Sequence, residues 1–598
     1  MNPETKNCQN CKKDFTIESE DFAFYEKIKV PPPTWCPECR FVRRLVVRNE
    51  RSLYKRQCAL CGKDKIMIYG PDYRGAVYCY QCWWGDTWDA STFGKEYDFS
   101  KSFFEQFKNL FASVPRMGII QQGMNVNSEY TNRASDNKDS YLIFAASDNE
   151  NCYYGTSYWD AKDCVDDYNI YKSERLYECI DCYDSSNLRY SQECHSCLDS
   201  SFLFNCRNCS NCFGCVNLRN AQYCIFNKQY SKEEYKKKLE DLAITPFTIN
   251  GYKERVANLR KNNPLPCLMQ HRGVDVSGNW LEECKNIKNS FSCKNAEDGK
   301  YLFGISGAKD VMDYTYWGAS SGLMYEDINI GRQCASVSFS HESWDQLTNA
   351  QYCINCHSSS NVFGCVGLRK KQYCILNKQY TKEEYEELVP RIIQHMDTMP
   401  YVDAKGRKYT YGEFFPPELS PFAYNETIAQ EYFPLTKEEA REKGYRWRDP
   451  DIKNYQITKT PDDLPDHIKD VEDSITEEVI GCSHGGTCNH QCTTAFKIIP
   501  QELQFYRQMN LPLPRLCPNC RHYERLKQRN PLKLWHRTCQ CSGEKSEARS
   551  TKSETFQYTN TATHTHGDQP CPTEFETSYA PERQEIVYCE QCYNAEVA

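Results

Sequence analysis

Two duplications, one nested inside the other, restrict this chain more than any other feature of its sequence. Near the start stand Cys11, Phe15, Ile17, Phe24-Tyr25, Pro31, Pro33, Cys36-Pro37, Cys39-Arg40, Arg44, Arg48-Asn49 and Cys58. The same residue types return 481 positions later, without a gap, as Cys492, Phe496, Ile498, Phe505-Tyr506, Pro512, Pro514, Cys517-Pro518, Cys520-Arg521, Arg525, Arg529-Asn530 and Cys539. After an insertion the match resumes at an offset of 510: Cys61, Tyr69, Pro71, Val77-Tyr78-Cys79 and Gln81-Cys82 answer Cys571, Tyr579, Pro581, Val587-Tyr588-Cys589 and Gln591-Cys592. One module therefore occupies each end.

The second duplication lies between them. Phe213-Gly-Cys-Val216 and Gln222-Tyr-Cys-Ile225 return as Phe363-Gly-Cys-Val366 and Gln372-Tyr-Cys-Ile375, 150 positions on. Upstream the match persists at smaller offsets, 147 between Asp163 and Asp310 and 148 between Glu178 and Glu326. Inside each copy, short aromatic or aliphatic runs recur about every 10 to 14 residues, with Asn, Asp and Ser in the gaps, as turns require. Short strands at even spacing fit a sandwich, a barrel or a solenoid. A parallel β-helix with two strands per coil is favoured, because its rungs stack like residues inward; an antiparallel meander is the rival. The expected fold is mixed and mainly β: treble-clef and zinc-ribbon modules at both ends, flanking a duplicated β-solenoid centre with short helices.

Helix signals punctuate this pattern. Phe103, Phe104, Phe107, Leu110 and Phe111 form an i, i+3, i+4 stripe within 98–114. Ser231, Thr381 and Thr436, each followed at the third position by Glu, read as capping boxes. The expected organisation is a double zinc module over 1–97, a helical linker over 98–127, a first solenoid copy over 128–262, a second over 278–397, an irregular connector over 398–481 and a second double zinc module over 482–598.

Composition enters through 37 cysteines. The N-terminus lacks an apolar signal segment, so a reducing cytoplasm is the expected compartment, where cysteine pairs are read first as metal ligands. Mean hydropathy is −0.76 and no apolar run is long enough to span a bilayer. The knuckle of Cys8 and Cys11, with that of Cys36 and Cys39, gives one four-thiolate set. Pro37 starts a helix after the second knuckle, and a helix N-terminus helps hold thiolates deprotonated. Cys58, Cys61, Cys79 and Cys82 have the spacing of a zinc ribbon. The distal module offers Cys488, Cys492, Cys517 and Cys520, then Cys539, Cys571, Cys589 and Cys592. About four Zn2+ ions are expected. Cys482 and Cys541 are spare and either could replace a named ligand. His564 and His566 lie in a polar insert over 542–569 and are read as solvent-exposed in preference to ligating. Extra metal in the centre is disfavoured, since Cys209, Cys212 and Cys197 align with Ser359, Val362 and Leu347; stacked free cysteine is preferred there.

The run Cys8-x2-Cys11-x3-Phe15, Phe24-Tyr25, Pro33-x2-Cys36-Pro-Glu-Cys39-Arg40 resembles the zinc-ribbon/treble-clef family of uncharacterised bacterial proteins. The whole layout resembles large cysteine-rich hypothetical proteins of candidate-phylum bacteria. The motif resemblance covers the cysteine-bearing module at each end. It implies fold and metal and no established activity.

Four thiolates around zinc leave no open position, which makes such a site structural. No zincin or Walker motif is present, and Cys36-Pro-Glu-Cys39 lacks the upstream His-x-Glu of a deaminase. An enzyme of unrecognised type is thus the disfavoured alternative to a binding or scaffold protein. One feature points to nucleic acid: Arg40, Arg43, Arg44, Arg48, Arg51, Lys55 and Arg56 face only Glu50, and Arg521, Arg525, Lys527, Arg529, Lys533 and Arg537 repeat the pattern. Arg40, Arg43, Arg44, Arg48, Arg521, Arg525 and Arg529 are the candidates for phosphate contact, with Trp83, Trp84 and Trp88 available to stack on bases. The opposing reading pairs these arginines with acidic residues of the chain itself. Net charge is −8, so any nucleic-acid surface must be local. The expected partner is a protein or a nucleic acid, self-association included; a membrane is not expected.

Overall fold

The computed structural model describes residues 2–449, 455–543 and 558–597. The chain forms two compact units, and each is assembled from distant stretches of sequence. The first unit combines residues 1–119 with 268–448; the second combines 120–267 with 449–598. The N-terminal module thus shares a unit with the second central copy, and the C-terminal module with the first. The stretch expected as one connector divides between them, 398–448 going to the first unit and the remainder to the second.

The expected β-solenoid is present in both units. In the first copy, Thr156–Trp159, Tyr168–Tyr171, Ile180–Tyr183 and Gln192–His195 stack as parallel strands, Thr156 pairing with Tyr168, Tyr168 with Ile180 and Ile180 with Gln192. A second parallel ladder runs from Glu174–Tyr177 through Ser186–Arg189 and Leu198–Ser201 to Ser210–Phe213. The meander rival is excluded by this pairing.

The coil has a finer period than the sequence rhythm suggested. Every third residue takes a left-handed backbone, as at Asp160, Asp163, Asp166, Asn169, Lys172 and Arg175. Asn and Asp tolerate that region better than other side chains, which explains their abundance. They also tie successive coils together: the Asn151 amide donates to Asp163 at 3.0 Å, Asn187 to Asp199 at 2.7 Å and Asn286 to Asp298 at 2.8 Å. The residue after each of the six left-handed positions is buried. Cys164 is one of these, and the same place elsewhere in the coil holds Cys152, Cys182, Cys194, Cys206, Cys209, Cys212 and Cys215, all in the interior. The thiol also satisfies nearby backbone: Cys212 donates to the Ser210 carbonyl at 3.4 Å, and Cys365 to Phe363 and Cys374, both at 3.4 Å. Burial pushes the thiols of Cys164, Cys182 and Cys194 well up, so they remain protonated.

The second copy differs by a local stretch. Its bridges run from Thr315 to Ile328, to His341 and to Ile354, and each of these three steps is one residue longer than the next, from Ile354 to Val366. The three extra residues account for the drift of the repeat offset from 147 to 150. Both copies close alike. The last parallel strand turns back in an antiparallel pair, Ile225 with Lys228 and Ile375 with Lys378. Asn227 and Asn377 accept from the N–H groups of Val216 and Val366. The capping boxes then open Lys232–Glu240 and Lys382–Thr398, with Glu234 N–H on Ser231 Oγ and Glu384 N–H on Thr381 Oγ1, each at 3.2 Å. The aromatic stripe forms Phe103–Ser113, whose Phe103 packs on Tyr352 and Phe363.

Candidate metal centres

Each terminal module holds two cysteine tetrads, and one local design recurs among them. In the first, the hairpin Glu4–Asn7 and Asp14–Ile17 brackets the knuckle with Cys8 and Cys11. Cys36 caps the helix Pro37–Leu45, which carries Cys39 in its first turn. In the second, Tyr54–Gln57 and Asp64–Met67 bracket Cys58 and Cys61, and Cys79 caps Tyr80–Trp84. The first cysteine of every tetrad accepts a backbone N–H from the third: Cys36 on Cys8 at 3.2 Å, Cys79 on Cys58 at 3.2 Å, Cys517 on Cys482 at 3.3 Å and Cys589 on Cys539 at 3.1 Å. Such donors and a helix N-terminus both favour thiolate. The Cys58 thiol is accordingly lowered to about 7, although burial opposes it, by backbone donors around it. Cys589 is lowered to about 4, chiefly through its hydrogen bond with Cys539.

The donor set and its dimensions fit a tetrahedral ion. Sulfur–sulfur edges measure 3.7 Å for Cys11–Cys36, 4.0 Å for Cys61–Cys79, 3.9 Å for Cys492–Cys517 and 3.9 Å for Cys571–Cys589. Bonds of ~2.3 Å to thiolate imply an edge of ~3.8 Å. Cys8, Cys11, Cys36 and Cys39 converge as expected, as do Cys58, Cys61, Cys79 and Cys82, and Cys539, Cys571, Cys589 and Cys592.

The third tetrad requires a correction: it is Cys482, Cys492, Cys517 and Cys520, and Cys488 is not among the four. Cys482 holds the place of Cys8. Nine residues separate it from Cys492 where two separate Cys8 from Cys11, and this difference of seven hid the correspondence. The short spacing from Cys488 to Cys492 looked more like a knuckle. Cys541 is buried beside Asn560, whose amide donates to its sulfur at 3.4 Å, and the fourth set closes without it. His564, read as solvent-exposed, is instead buried against Glu596 at 2.8 Å, and His566 lies 3.3 Å from the Cys592 sulfur. Residues 544–557 of that insert lie outside the described residues.

The arginines singled out for phosphate contact are placed otherwise. Arg40, Arg43, Arg44 and Arg48 are at most 1% exposed. Arg40 and Arg44 converge on Asp313 at 2.8 and 3.1 Å; Arg43 meets Glu326 at 2.7 Å and Glu413 at 2.6 Å; Arg48 meets Glu50 at 2.6 Å. The second unit repeats the device. Arg521 and Arg525 converge on Asp166, the latter at 3.0 Å, Arg525 also reaches Glu178 at 2.9 Å, and Arg529 meets Asp181 at 2.9 Å. Asp313 and Asp166 are equivalent positions of the two solenoid copies, and so are Glu326 and Glu178. These charges therefore fasten the helix of each first tetrad to its solenoid. Removing one partner of such a buried pair leaves the other uncompensated, at a cost of about 3–5 kcal/mol. The tryptophans are likewise packed: Trp83 is fully buried and, with Trp84 and Trp344, encloses His357. Arg369 lies over Trp83 and Trp88. The matching Arg219 donates to Tyr593, which occupies the Trp83 position.

The second unit also contains a groove of about 860 Å3, lined by apolar side chains such as Ile249, Val256 and Leu516 and by charged ones such as Lys253, Glu524 and Lys527.

No family model matches the chain, and no curated protein matches it. A solved structure described as "putative acetyltransferase from Desulfovibrio desulfuricans G20" is 8% identical, over 49% of this chain and 86% of that one. Its TM-score is 0.10, too low to carry an argument about fold or function. No described helix is long and apolar enough to cross a membrane.

Proposed function

We propose that this protein is a non-catalytic binding scaffold in which structural zinc ions fold the terminal modules onto two β-solenoids. The observation that carries the reading is the linkage between tetrad and solenoid. The helix capped by Cys36 presents Arg40, Arg43 and Arg44 to Asp313 and Glu326, and the helix capped by Cys517 presents Arg521 and Arg525 to Asp166 and Glu178. An all-thiolate tetrahedral set suits zinc and leaves no ligand position for a substrate. The hairpin, knuckle and capped helix support a treble clef for the first tetrad of each module and a zinc ribbon for the second. This is also what the resemblance to the bacterial zinc-ribbon/treble-clef family implies.

A protein partner is favoured over nucleic acid. The clef arginines are engaged by internal carboxylates and are thereby withdrawn from phosphate contact. Elemental analysis of protein purified without added metal, together with its absorbance ratio at 260 and 280 nm, tests both parts. Four or more zinc ions per chain, with no nucleic acid and a stoichiometric protein partner, is the expected result. Fewer than two ions, with thiols paired as disulfides, overturns the metal reading. Nucleic acid that leaves as salt rises overturns the choice of partner.

A further inference from the structure

The seven residues that the C-terminal knuckle gains over its N-terminal counterpart bring chemistry of their own. The segment reads Cys482-Ser-His484-Gly-Gly-Thr-Cys488-Asn-His490-Gln-Cys492. Its turn runs through Gly485 and Gly486, both left-handed, with φ of 53° and 82°. That turn brings His484, Cys488 and His490 together, and their ligand atoms and the Cys520 sulfur all lie within 4.8 Å of one another. Cys520 also belongs to the tetrad with Cys482, Cys492 and Cys517.

We propose that the C-terminal module binds two metal ions at this place, one held by four cysteines and one by two histidines and two cysteines, bridged by the Cys520 thiolate. Three observations converge on it. The Cys488–Cys520 sulfur separation is 3.7 Å, an edge found in the tetrads and close to what a tetrahedral ion with ~2.3 Å thiolate bonds requires. The Nδ1 atoms of both histidines are buried and make no hydrogen bond among the described residues; a Glu524 oxygen stands 3.9 Å from that of His490. The rings are already positioned: His490 stacks on Tyr523 at 5.1 Å with an interplanar angle of 4°, and His484 lies 5.3 Å from His490. A set of two imidazoles and two thiolates is suited to zinc. The N-terminal module has Gln9 and Asn10 between its knuckle cysteines, so the second ion belongs to one end of the protein only.

The proposal rests on the neighbouring tetrad holding metal, and the experiment separates the two claims. Full-length protein is loaded with Zn2+ and weighed by native mass spectrometry, beside the variant His484→Ala, Cys488→Ser, His490→Ala. The expected result is one ion fewer in the variant, with the remaining ions retained. An equal count overturns the second site while leaving the tetrads standing; protein without metal in either form overturns the tetrads themselves. Loading wild-type protein with 113Cd2+ decides the case in which the variant loses two ions through local unfolding. Two cadmium resonances coupled through a shared sulfur support the bridge, and the absence of any coupled pair refutes it.

Discussion

His357 illustrates how a single side chain records its surroundings. It is 2% exposed, with Trp344 at 4.1 Å, Trp84 at 5.0 Å and Trp83 at 5.5 Å between ring centroids. Burial among these rings depresses its pKa to about 3, and the nearby Arg369 acts in the same direction. Its Nδ1 accepts the backbone N–H of Trp344, so the neutral ring is the form that fits. An unfolded histidine titrates near ~6.5. The neutral ring's contribution is therefore complete above that pH and is lost as pH falls toward 3, at up to about 1.4 kcal/mol per pH unit. Denaturant unfolding followed by tryptophan fluorescence should show this slope in wild type and a flatter profile in His357→Gln. An unchanged slope would mean that the acid sensitivity lies elsewhere.

At the scale of the element, much of the solenoid was legible and its reason was not. The beat of short apolar runs and the Asn, Asp and Ser between them predicted a parallel solenoid. The growth of the repeat offset was visible too, though only the bridges from Thr315 to Ile354 reveal that three coils are each one residue longer. The finer pattern, one left-handed residue in three, escaped notice because no single residue type marks it: Cys, Ser, Ala, Asn, Leu and Ile all occupy the inward place. Alignment of Cys212 with Val362 suggested a packing role for the central thiols. Cys212→Val, which adds a methyl group and removes a thiol donor, should cost about 1–3 kcal/mol and should leave the metal content unchanged. Loss of an ion from that variant would make the solenoid thiols ligands. The terminal modules were read well wherever spacing was short. The reading failed at Cys482 and missed His484 and His490, because an insertion inside a knuckle breaks the one signal that spacing supplies. The basic run misled for a different reason. Within 40–56 the sequence sets only Glu50 against these cations, but the carboxylate that Arg40 meets, Asp313, lies 273 positions away.

At the scale of the whole molecule, the nested duplication has a spatial meaning: each unit joins one terminal module to one solenoid copy, and Asp166 and Asp313 make the same junction in both. Cys36→Ser should remove an ion from the first unit and free the helix Pro37–Leu45, since metal binding and local folding are coupled. The second unit should keep its own ions. Limited proteolysis with metal analysis reads this directly: cleavage confined to 1–119 and 268–448 is expected, and equal damage to both units would show that they do not fold separately.

The order of the pieces along the chain also sets a timetable. A ribosome releases the N-terminal module before the acids it needs: Asp313 follows Arg40 by 273 positions, and Glu326 and Glu413 follow Arg43 by 283 and 370. The first unit closes only when residue 448 has emerged, long after its opening segment ends at 119. At ~5–20 residues per second that is an interval of roughly 15–65 s. For most of it, Arg40, Arg43 and Arg44 wait for carboxylates that arrive only from Asp313 onward, and the first solenoid copy emerges before the residues it will need from the far end. The newborn chain is thus exposed to proteases and to mispairing for much of its synthesis, and on the proposed reading capture of metal by Cys8, Cys11, Cys36 and Cys39 would be the earliest event able to protect the module that carries them.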